Sequence, residues 1–422
     1  MKGKTALMAC AAVIALTVSA NAASGGQSQS DGTSGQTVDT APSNAELEAR
    51  IEALEAEVQA SEQRQAKIAD DQSQWSDKLV GWWNNTTIGG TAFIDVSNIE
   101  HKVSGAKQTD DGTGFDVKRF YISVDHKFDD VWSANITTDV TYDSATKASQ
   151  LFLKKAWLQA KVWGDEFVVR VGASDLPWIP FVESLYGYRY VENTLIDRTK
   201  FGSSTDFGAH FFGKFADGLV NYQLSVINGL GYKADPIGAG VNRSKGLDVE
   251  GRVNLNWDGF VVGVGGYDGK RGLDVDGPVP TTYHTAQRFD AVAAYATNDI
   301  HAGFEYFYAN DWNNVTTAPP KPTDNADGYG FFASYNFMPQ FGVFGRYDYV
   351  TPQETTAKKL HDNYYNVGLT WHAAKIVDVS LVYKHDDAGN GTISTSNGTI
   401  GSTIPGKSGA YNEIGLFTQL KW

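Results

Sequence analysis

From residue 86 to the C-terminus, apolar and polar side chains alternate along the chain in a succession of short segments. In residues 132–142 most even-numbered positions are apolar and the odd-numbered positions are polar. The same period of two recurs in residues 219–226, 247–255 and 413–422. Successive side chains of a β-strand point to opposite faces, so this pattern predicts strands with one apolar and one polar face.

Sixteen such segments are candidate strands. They begin near residues 87, 115, 131, 149, 166, 205, 219, 246, 260, 287, 300, 328, 341, 362, 375 and 412. Every second connection is a tight turn, such as Asp129-Asp130, Asp258-Gly259 or Asn298-Asp299, whereas the connections between these turns are mostly long and polar. An even strand count with short turns at one end and long loops at the other is typical of a transmembrane barrel.

A soluble barrel, sandwich or propeller would show the same alternation with its apolar face buried. Three features favour a membrane: an N-terminal export signal, described below, aromatic residues near the predicted strand ends, and an aromatic C-terminal residue, Trp422. A closed barrel is also the one sheet that leaves no unpaired backbone group in hydrocarbon. We therefore predict an all-β fold, a 16-stranded antiparallel transmembrane β-barrel over residues 81–422.

The first 22 residues have the features of a secretory signal peptide. Lys2 and Lys4 precede an apolar stretch, and Ala20-Asn21-Ala22 has the small-x-small pattern of a cleavage site. Cys10, the single cysteine, lies in this segment, so we expect a mature chain without disulfides or thiol chemistry. Residues 23–42 are rich in Gly, Ser, Gln and Thr, which predicts a flexible linker.

Residues 43–80 are predicted to form a periplasmic helix. Ser43 and Glu46 have the spacing of a capping box. A seam at four-three spacing follows, made of Leu47, Ile51, Leu54, Val58, Ser61, Gln65 and Ile68. This seam predicts a short N-terminal α-helical coiled coil, and an amphipathic helix on another surface is the alternative. Two apolar heptads are marginal in isolation, so the coiled coil depends on what the helix is attached to.

Several short motifs resemble the phosphate-selective porin O and P family of Gram-negative outer membranes. The likeness covers roughly residues 86–422, and each motif alone is weak, but their order along the chain is specific. The motifs are Phe115 to Ile122, with Lys118 where the family usually has arginine, Val169 to Gly172 followed by Pro177, Pro180 and Glu183, Asn228-Gly229, Arg252, Glu305-Tyr306 and Arg346-Tyr347-Asp348.

The resemblance implies a homotrimeric porin of the cell outer membrane that passes small anions such as phosphate. A coiled coil before the barrel occurs in some porins of this kind. The segment from Glu413 to Trp422 looks like the terminal signal read by the barrel-assembly machinery, although with Trp where Phe is commoner. The implied partners are therefore the lipid bilayer, small anionic or polar solutes, two further copies of the chain and that machinery.

A charged side chain facing lipid at the bilayer midplane costs roughly 2–4 kcal/mol, so charges in the middle of strands should point into the lumen. By this rule the candidate pore-lining and selectivity residues are Arg119, Lys155, Lys161, Arg170, Lys214, Arg252, Arg288, Arg346, Asp348 and Glu305. The same rule also turns inward Lys384, Lys421, Asp125, Asp139, Asp206, Asp248, Glu250, Asp290 and Asp378. Both signs of charge therefore occur in similar number, which leaves two interpretations open. Arg119, Arg170, Arg252 and Arg346 could form a basic ladder that favours anions. Alternatively, each could be paired with a carboxylate, as Arg346 with Asp348, and set only the shape of the pore.

The longest connection, from Asp175 to Ser204, is rich in aromatic residues. A loop in solvent gains nothing from such rings, so we expect it to fold against the inner wall as a constriction loop. Its candidate gate residues are Glu183, Arg189, Glu192, Asp197 and Arg198. The alternative is a loop that caps the barrel or a neighbouring subunit.

Other function classes receive little support. The net charge of −14 argues against nucleic acid. The eight histidines are scattered, and no nucleophile elbow or metal-ligand spacing occurs, so we expect no enzyme, no cofactor and no metal. Asp274 and Asp276 lack the other ligands of a calcium loop, which favours a solvated turn. The open alternatives to an anion porin are a general or weakly cation-selective porin, an outer-membrane enzyme, and a plugged barrel that tethers the cell wall.

Overall fold

The computed structural model describes residues 43–143, 147–233, 244–274, 284–315, 322–353 and 360–422. The predicted signal peptide of residues 1–22, the linker of residues 23–42 and Asp276 lie outside these ranges. The chain divides into two compact units, Met1–Gln74 and Trp75–Trp422.

Helix α1 spans Asn44–Asn84 and carries the predicted capping box at its start. The backbone N–H of Glu46 donates to Ser43 Oγ and the N–H of Ser43 donates to Glu46 Oε2, both at 3.3 Å. The predicted seam is exposed in the isolated chain, including Leu47, Ile51 and Leu54. The coiled coil therefore stays a prediction. None of the described helices combines the length and the apolar character needed to cross a membrane.

In the described part of the chain, sixteen long strands follow the helix. The first eight are β1 (Thr86–Val103), β2 (Gly112–Lys127), β3 (Trp132–Asp143), β4 (Ala148–Trp163), β5 (Phe167–Asp175), β6 (Thr205–Phe215), β7 (Val220–Ile227) and β8 (Asp248–Trp257). The second eight are β9 (Phe260–Gly269), β10 (Ala286–Ala296), β11 (Ile300–Asn310), β12 (Asn325–Met338), β13 (Phe341–Gln353), β14 (Leu360–Ala374), β15 (Val377–Gly389) and β16 (Ala410–Lys421). Ala106–Lys107 is a two-residue strand beside β1, and Thr392–Thr395 pairs with Gly398–Gly401 in a separate hairpin.

Each strand pairs antiparallel with its neighbours in sequence, and the sheet closes between its first and last strands. Thr91 of β1 lies opposite Tyr121 of β2 on one side and opposite Lys421 of β16 on the other. Every strand begins within three residues of its predicted start. The structure therefore confirms the predicted 16-stranded antiparallel barrel.

The barrel is inverted relative to a water-soluble protein, with apolar side chains outside and polar side chains inside. In β8, Leu255 is 51% exposed on the outer face, whereas Glu250 on the inner face is 1% exposed. Trp132, Trp257 and Trp371 are exposed beside the short turns. An apolar outer band bordered by aromatic residues is the surface of a barrel that lies in a bilayer.

The short turns have the backbone that tight hairpins need. Trp257 pairs with Phe260, which leaves Asp258 and Gly259 as a two-residue connection between β8 and β9. Both residues have positive φ angles, 48° and 82°. Asp-Gly is a preferred sequence for such a turn, because aspartate tolerates the left-handed region and glycine adopts it freely.

Candidate functional site

The loop 175–204 lies inside the barrel. It contains two short helices, α2 (Ile179–Tyr186) and α3 (Leu195–Arg198). Pro180 lies in the first turn of α2, where the missing N–H costs no hydrogen bond. Gly187 ends the helix in the left-handed conformation, with φ 79°, and donates its N–H to Glu183 O at 3.0 Å.

Aromatic and aliphatic side chains of this loop pack against lumen-facing rings of the barrel. Trp178 and Ile179 are fully buried. Tyr188 stacks on Phe344 of β13 with ring centroids 3.9 Å apart, and Tyr186 meets Phe332 of β12 edge-on at 5.8 Å. Burying this apolar surface favours the inward position of the loop.

Two polar anchors hold the start of the loop. The backbone N–H of Trp178 donates to Glu250 Oε1 at 3.1 Å, and its indole Nε1 donates to Glu305 Oε1 at 2.9 Å. Glu305, a predicted pore-lining residue, therefore lies beneath the loop, not beside open solvent. Its neighbour Glu250 also lies 3.5 Å from the guanidinium of Arg288.

Arg198 is the anchor at the other end. Its guanidinium donates to Asp348 at 3.0 Å, Asp362 at 2.6 Å and Asp386 at 3.1 Å, on the adjacent strands β13, β14 and β15. All four side chains are fully buried. Burial disfavours the charged guanidinium, but the three carboxylates outweigh burial and raise the pKa of Arg198 well above its usual range. One loop residue therefore ties three strands together.

Two of the predicted pore-lining arginines also hold the loop. Arg346 pairs with Asp348 at 2.7 Å and donates to the backbone oxygen of Asn193. Arg288 pairs with Asp290 at 2.7 Å and donates to the backbone oxygen of Phe201 at 2.5 Å. Both arginines are buried under the loop, so they do not face the open part of the lumen.

The wall opposite the loop carries a different set of charges. A β-bulge lies in β2, where Phe93 pairs with Arg119 and Ile94 pairs with Val117, so Lys118 is an extra residue. Because of the bulge, Lys118 and Arg119 both point into the lumen. Strict alternation would have turned one of them toward lipid.

Each of these two cations has a carboxylate behind it. Lys118 Nζ lies 2.9 Å from Asp95 and 3.5 Å from Glu413, and Arg119 Nε lies 3.8 Å from Asp139. The side chains of Lys118 and Arg119 are 32% and 24% exposed, whereas those of Asp95 and Asp139 are 3% and 0% exposed. The cation is thus the member of each pair that a solute in the lumen meets.

A second bulge lies in β4. Thr137 pairs with Lys155 and Thr138 pairs with Leu153, which leaves Lys154 as the extra residue. Lys155 Nζ pairs with Asp175 at 2.6 Å. Lys154 Nζ lies 3.0 Å from the hydroxyl of Tyr121 and 4.3 Å above its ring.

Arg170 and Arg252 line a cavity of about 320 Å³ on the side of the loop that faces the short-turn end of the barrel. Arg170 donates to Gln159 Oε1 at 2.6 Å and Ser174 Oγ at 2.9 Å, and its guanidinium lies 4.0 Å from the Trp157 ring. The guanidinium of Arg252 lies 4.0 Å from the ring of Phe181, which belongs to the loop. Aromatic faces thus position these two cations.

Lys161 and Lys214, the remaining predicted lining residues, lie at the short-turn end of the barrel. Both pair with Asp165, at 2.9 Å and 3.0 Å, in the turn between β4 and β5. Their side chains are close to half exposed. The structure therefore places them at the mouth, away from the residues that face the loop.

The predicted gate residues of the loop are paired among themselves or with the barrel. Arg189 Nε pairs with Glu183 at 2.5 Å and Arg189 Nη2 with Asp197 at 3.5 Å. Glu192 pairs with Lys384 of β15 at 3.5 Å. Burial acts to raise the pKa of Glu192, but Lys384 and other donors outweigh it and hold that pKa below its ordinary value of 4.5.

A cavity of about 1080 Å³ lies between the loop and the β1–β2 wall. Charges of both signs line it in similar number, with Lys118, Arg119, Arg189 and Lys233 among the cations and Asp95, Glu192, Asp197 and Glu413 among the carboxylates. Sequence reasoning missed Lys118, Lys154 and Lys233. For the first two a signal existed, because two adjacent charges in the middle of a membrane strand require a bulge if neither is to face lipid.

Comparisons with known proteins agree on the fold. No protein-family model matches the chain. No curated protein matches it either. Among solved structures, an anion-selective porin from Comamonas acidovorans is similar with a TM-score of 0.59 and 11% identity, covering 80% of this chain and 99% of that one.

Two further solved structures have similar values. OmpF of Salmonella typhi, in complex with daunomycin, gives a TM-score of 0.54 at 12% identity over 79% of this chain and 97% of that one. The outer-membrane channel DcaP of Acinetobacter baumannii gives 0.52 at 9% identity over 80% and 97%. Closed barrels with an apolar outer band are built for bacterial outer membranes. The chain therefore is an outer-membrane β-barrel with the fold of the Gram-negative porins.

Proposed function

We propose that this chain is a passive diffusion channel of the Gram-negative outer membrane. We also propose that the part of its lumen beside the loop 175–204, here called the narrow section, favours small anions, phosphate among them. The observation that carries the proposal is the arrangement of charge across the narrow section. On the β2–β4 wall, Lys118, Arg119, Lys154 and Lys155 point inward. The carboxylates that pair with Lys118 and Arg119 lie behind them.

The loop side of the narrow section has less positive charge to offer. Arg189 is held between Glu183 and Asp197, so this group carries a net negative charge. Arg198 of the loop, and Arg288 and Arg346 beneath it, are buried against carboxylates. A solute passing the loop therefore lies between a basic wall and a weakly acidic loop. Rings of basic side chains favour anions.

A general or weakly cation-selective porin is the second candidate. The cavity of about 1080 Å³ is also lined by Asp110, Asp111 and Asp116, and the chain as a whole is acidic. If these carboxylates set the potential along the pathway, cations would carry the larger share of the current. The two candidates differ in sign, so one measurement separates them.

That measurement is the zero-current potential of the purified protein in a planar bilayer across a KCl gradient. The anion proposal predicts stepwise increases in current and a zero-current potential whose sign shows that chloride is more permeant than potassium. A potential of the sign set by potassium would favour the second candidate. Absence of channels from a correctly folded barrel would favour a plugged tether or an enzyme over both porin proposals.

We further propose that the protein is a homotrimer and that the seam of α1 joins the three copies. Five of the seven seam residues are apolar and exposed in the single chain, which leaves them available to identical helices. The proposal is tested by the mass of the protein in detergent, which should correspond to three chains.

A further inference from the structure

Part of the loop between β15 and β16 is folded against the barrel wall. It contains a hairpin, the hairpin 392–401, in which Thr392–Thr395 pairs with Gly398–Gly401 outside the barrel sheet. Ile393 and Ile400 are opposite each other in this hairpin and both are buried. They pack with Tyr411 of β16 in a small apolar cluster of their own. Burial of two isoleucines favours the inward position of the hairpin.

The tip of the hairpin contacts the loop 175–204 at three points. The backbone N–H of Ser396 donates to Arg198 O at 2.8 Å, and Ser396 Oγ donates to Glu192 Oε1 at 2.7 Å. Lys200 Nζ donates to Ser394 Oγ at 2.6 Å. These bonds reach the loop on both sides of α3.

The tip also donates hydrogen bonds to Asp386 in β15. One oxygen of this carboxylate, Oδ2, accepts from Arg198 Nη1 at 3.1 Å, Thr395 Oγ1 at 3.2 Å and Asn397 Nδ2 at 3.1 Å. The wall, the loop and the hairpin therefore meet at one buried atom. Ion pairs are stronger where water is excluded, so the hairpin strengthens the anchor that Arg198 makes.

The second strand of the hairpin, Gly398–Gly401, contacts β1, the first strand of the barrel. His101 of β1 contacts the backbone oxygen of Thr399 through Nε2 at 2.9 Å and Asp110 through Nδ1 at 2.8 Å. Ser396, Asn397 and Gly398 in turn line the cavity of about 1080 Å³. The hairpin is thus part of the wall of the permeation pathway, at the long-loop end.

We propose that the hairpin 392–401 is a second constriction element that holds the loop 175–204 in its inward position. The inference rests on the proposed channel function but not on the sign of its selectivity. The hairpin narrows the pathway directly with its tip, and it limits movement of the loop through Ser396 and Asp386. Ser396, Thr395 and Asn397 are positioning residues in this account.

Single-channel recording of full-length variants tests this proposal. Replacing residues 392–401 by a short Gly-Ser turn should raise the conductance roughly twofold, because it removes the tip that lines the pathway beside the loop 175–204. Ser396→Ala with Asn397→Ala should leave the open conductance near that of the natural protein but increase the frequency of brief closures. Thr399→Ala, whose side chain is exposed in the same hairpin, is the matched control and should change neither quantity.

The proposal is overturned if the double variant, shown to be folded by its heat-dependent gel mobility, closes as rarely as the control. Unchanged conductance in a folded deletion variant would equally overturn it. If the deletion variant fails to fold, the double variant still decides. The zero-current potential of the unmodified protein tests the channel proposal separately, so failure of the hairpin proposal and failure of anion selectivity are distinguishable.

Discussion

The ammonium group of Lys118 lies 2.9 Å from the carboxylate of Asp95, and the lysine is the exposed partner of the pair. This relationship depends on the bulge in β2, which lets Lys118 and Arg119 both face the lumen. An ion pair with a buried carboxylate and an exposed cation presents positive charge to the pathway, although the net charge of the pair is zero. The ion selectivity of the pore therefore depends on which member of each ion pair faces the lumen, and not only on the number of charges.

The two bulges give a prediction about which side chains water reaches. Cysteine introduced by Lys118→Cys or Lys154→Cys should react with a charged, water-soluble thiol reagent and reduce the current through the channel. Val117→Cys and Leu153→Cys are the matched controls, because these neighbours are exposed on the outer face. They should not react while the barrel is in lipid. All four variants need Cys10→Ser if the export signal is retained. Reaction of Leu153→Cys with no reaction of Lys154→Cys would show that β4 lacks the bulge.

The Arg198 anchor gives a prediction about stability. Arg198→Met leaves Asp348, Asp362 and Asp386 buried without their shared cation, and the loss of one partner from a buried charge cluster costs roughly 3–5 kcal/mol. We expect a lower unfolding temperature of the barrel in detergent and a loop 175–204 that proteases cleave more readily. Lys214→Met, which removes a half-exposed ion pair at the mouth, is the control and should have little effect. Equal stability of the two variants would contradict the anchoring role.

The lowered pKa of Glu192 gives a prediction about pH. A carboxyl group whose pKa is lower in the folded state stabilises that state above the ordinary pKa of 4.5, and this contribution is lost as pH falls through the lower, folded value. The links from Glu192 to Lys384 and Ser396 should therefore hold from neutral pH down to about 4.5 and weaken below it. The frequency of closures should rise in that acidic range. Glu192→Gln should show frequent closures at neutral pH already, and pH-independent behaviour of both proteins would contradict the prediction.

The seam of α1 gives a prediction about assembly. Leu54 lies in the seam, and Gln63 lies outside it. In a parallel coiled coil the seam residues of neighbouring helices face each other, so Leu54→Cys should form disulfide-linked chains on mild oxidation. Gln63→Cys points away from the partner helices and should remain reduced. Cross-linking of Gln63→Cys in preference to Leu54→Cys would place the helix in some other contact.

The strands could be predicted from sequence because lipid and water select for alternation in every one of them. In β8 the alternation of exposed Val249 and Val253 with buried Asp248 and Glu250 is visible without any knowledge of partners. The turn at Asp258-Gly259 has a local sequence preference as well. These signals are local, so the strand starts were predicted to within three residues.

The site was harder to predict because its geometry depends on contacts between distant segments. Alternation predicts that Arg346 points inward, but it does not reveal that Asn193 and the rest of the loop 175–204 cover it. Counting by twos also fails at a bulge, which is why Lys118 and Lys154 were not among the predicted lining residues. The inward hairpin 392–401 was not predicted either, because its two buried isoleucines, Ile393 and Ile400, are too few to stand out in a polar loop.

The central claim is that the inward cations of β2 and β4 set the sign of the pore. Its most direct test is the zero-current potential across a KCl gradient for Arg119→Glu with Lys154→Glu, compared with the unmodified protein and with Lys161→Glu at the short-turn mouth. The account predicts chloride preference in the unmodified protein, a shift toward or beyond zero selectivity in the double variant, and a small change in the control. The claim is contradicted if the folded double variant keeps the potential of the unmodified protein, or if that protein already prefers potassium.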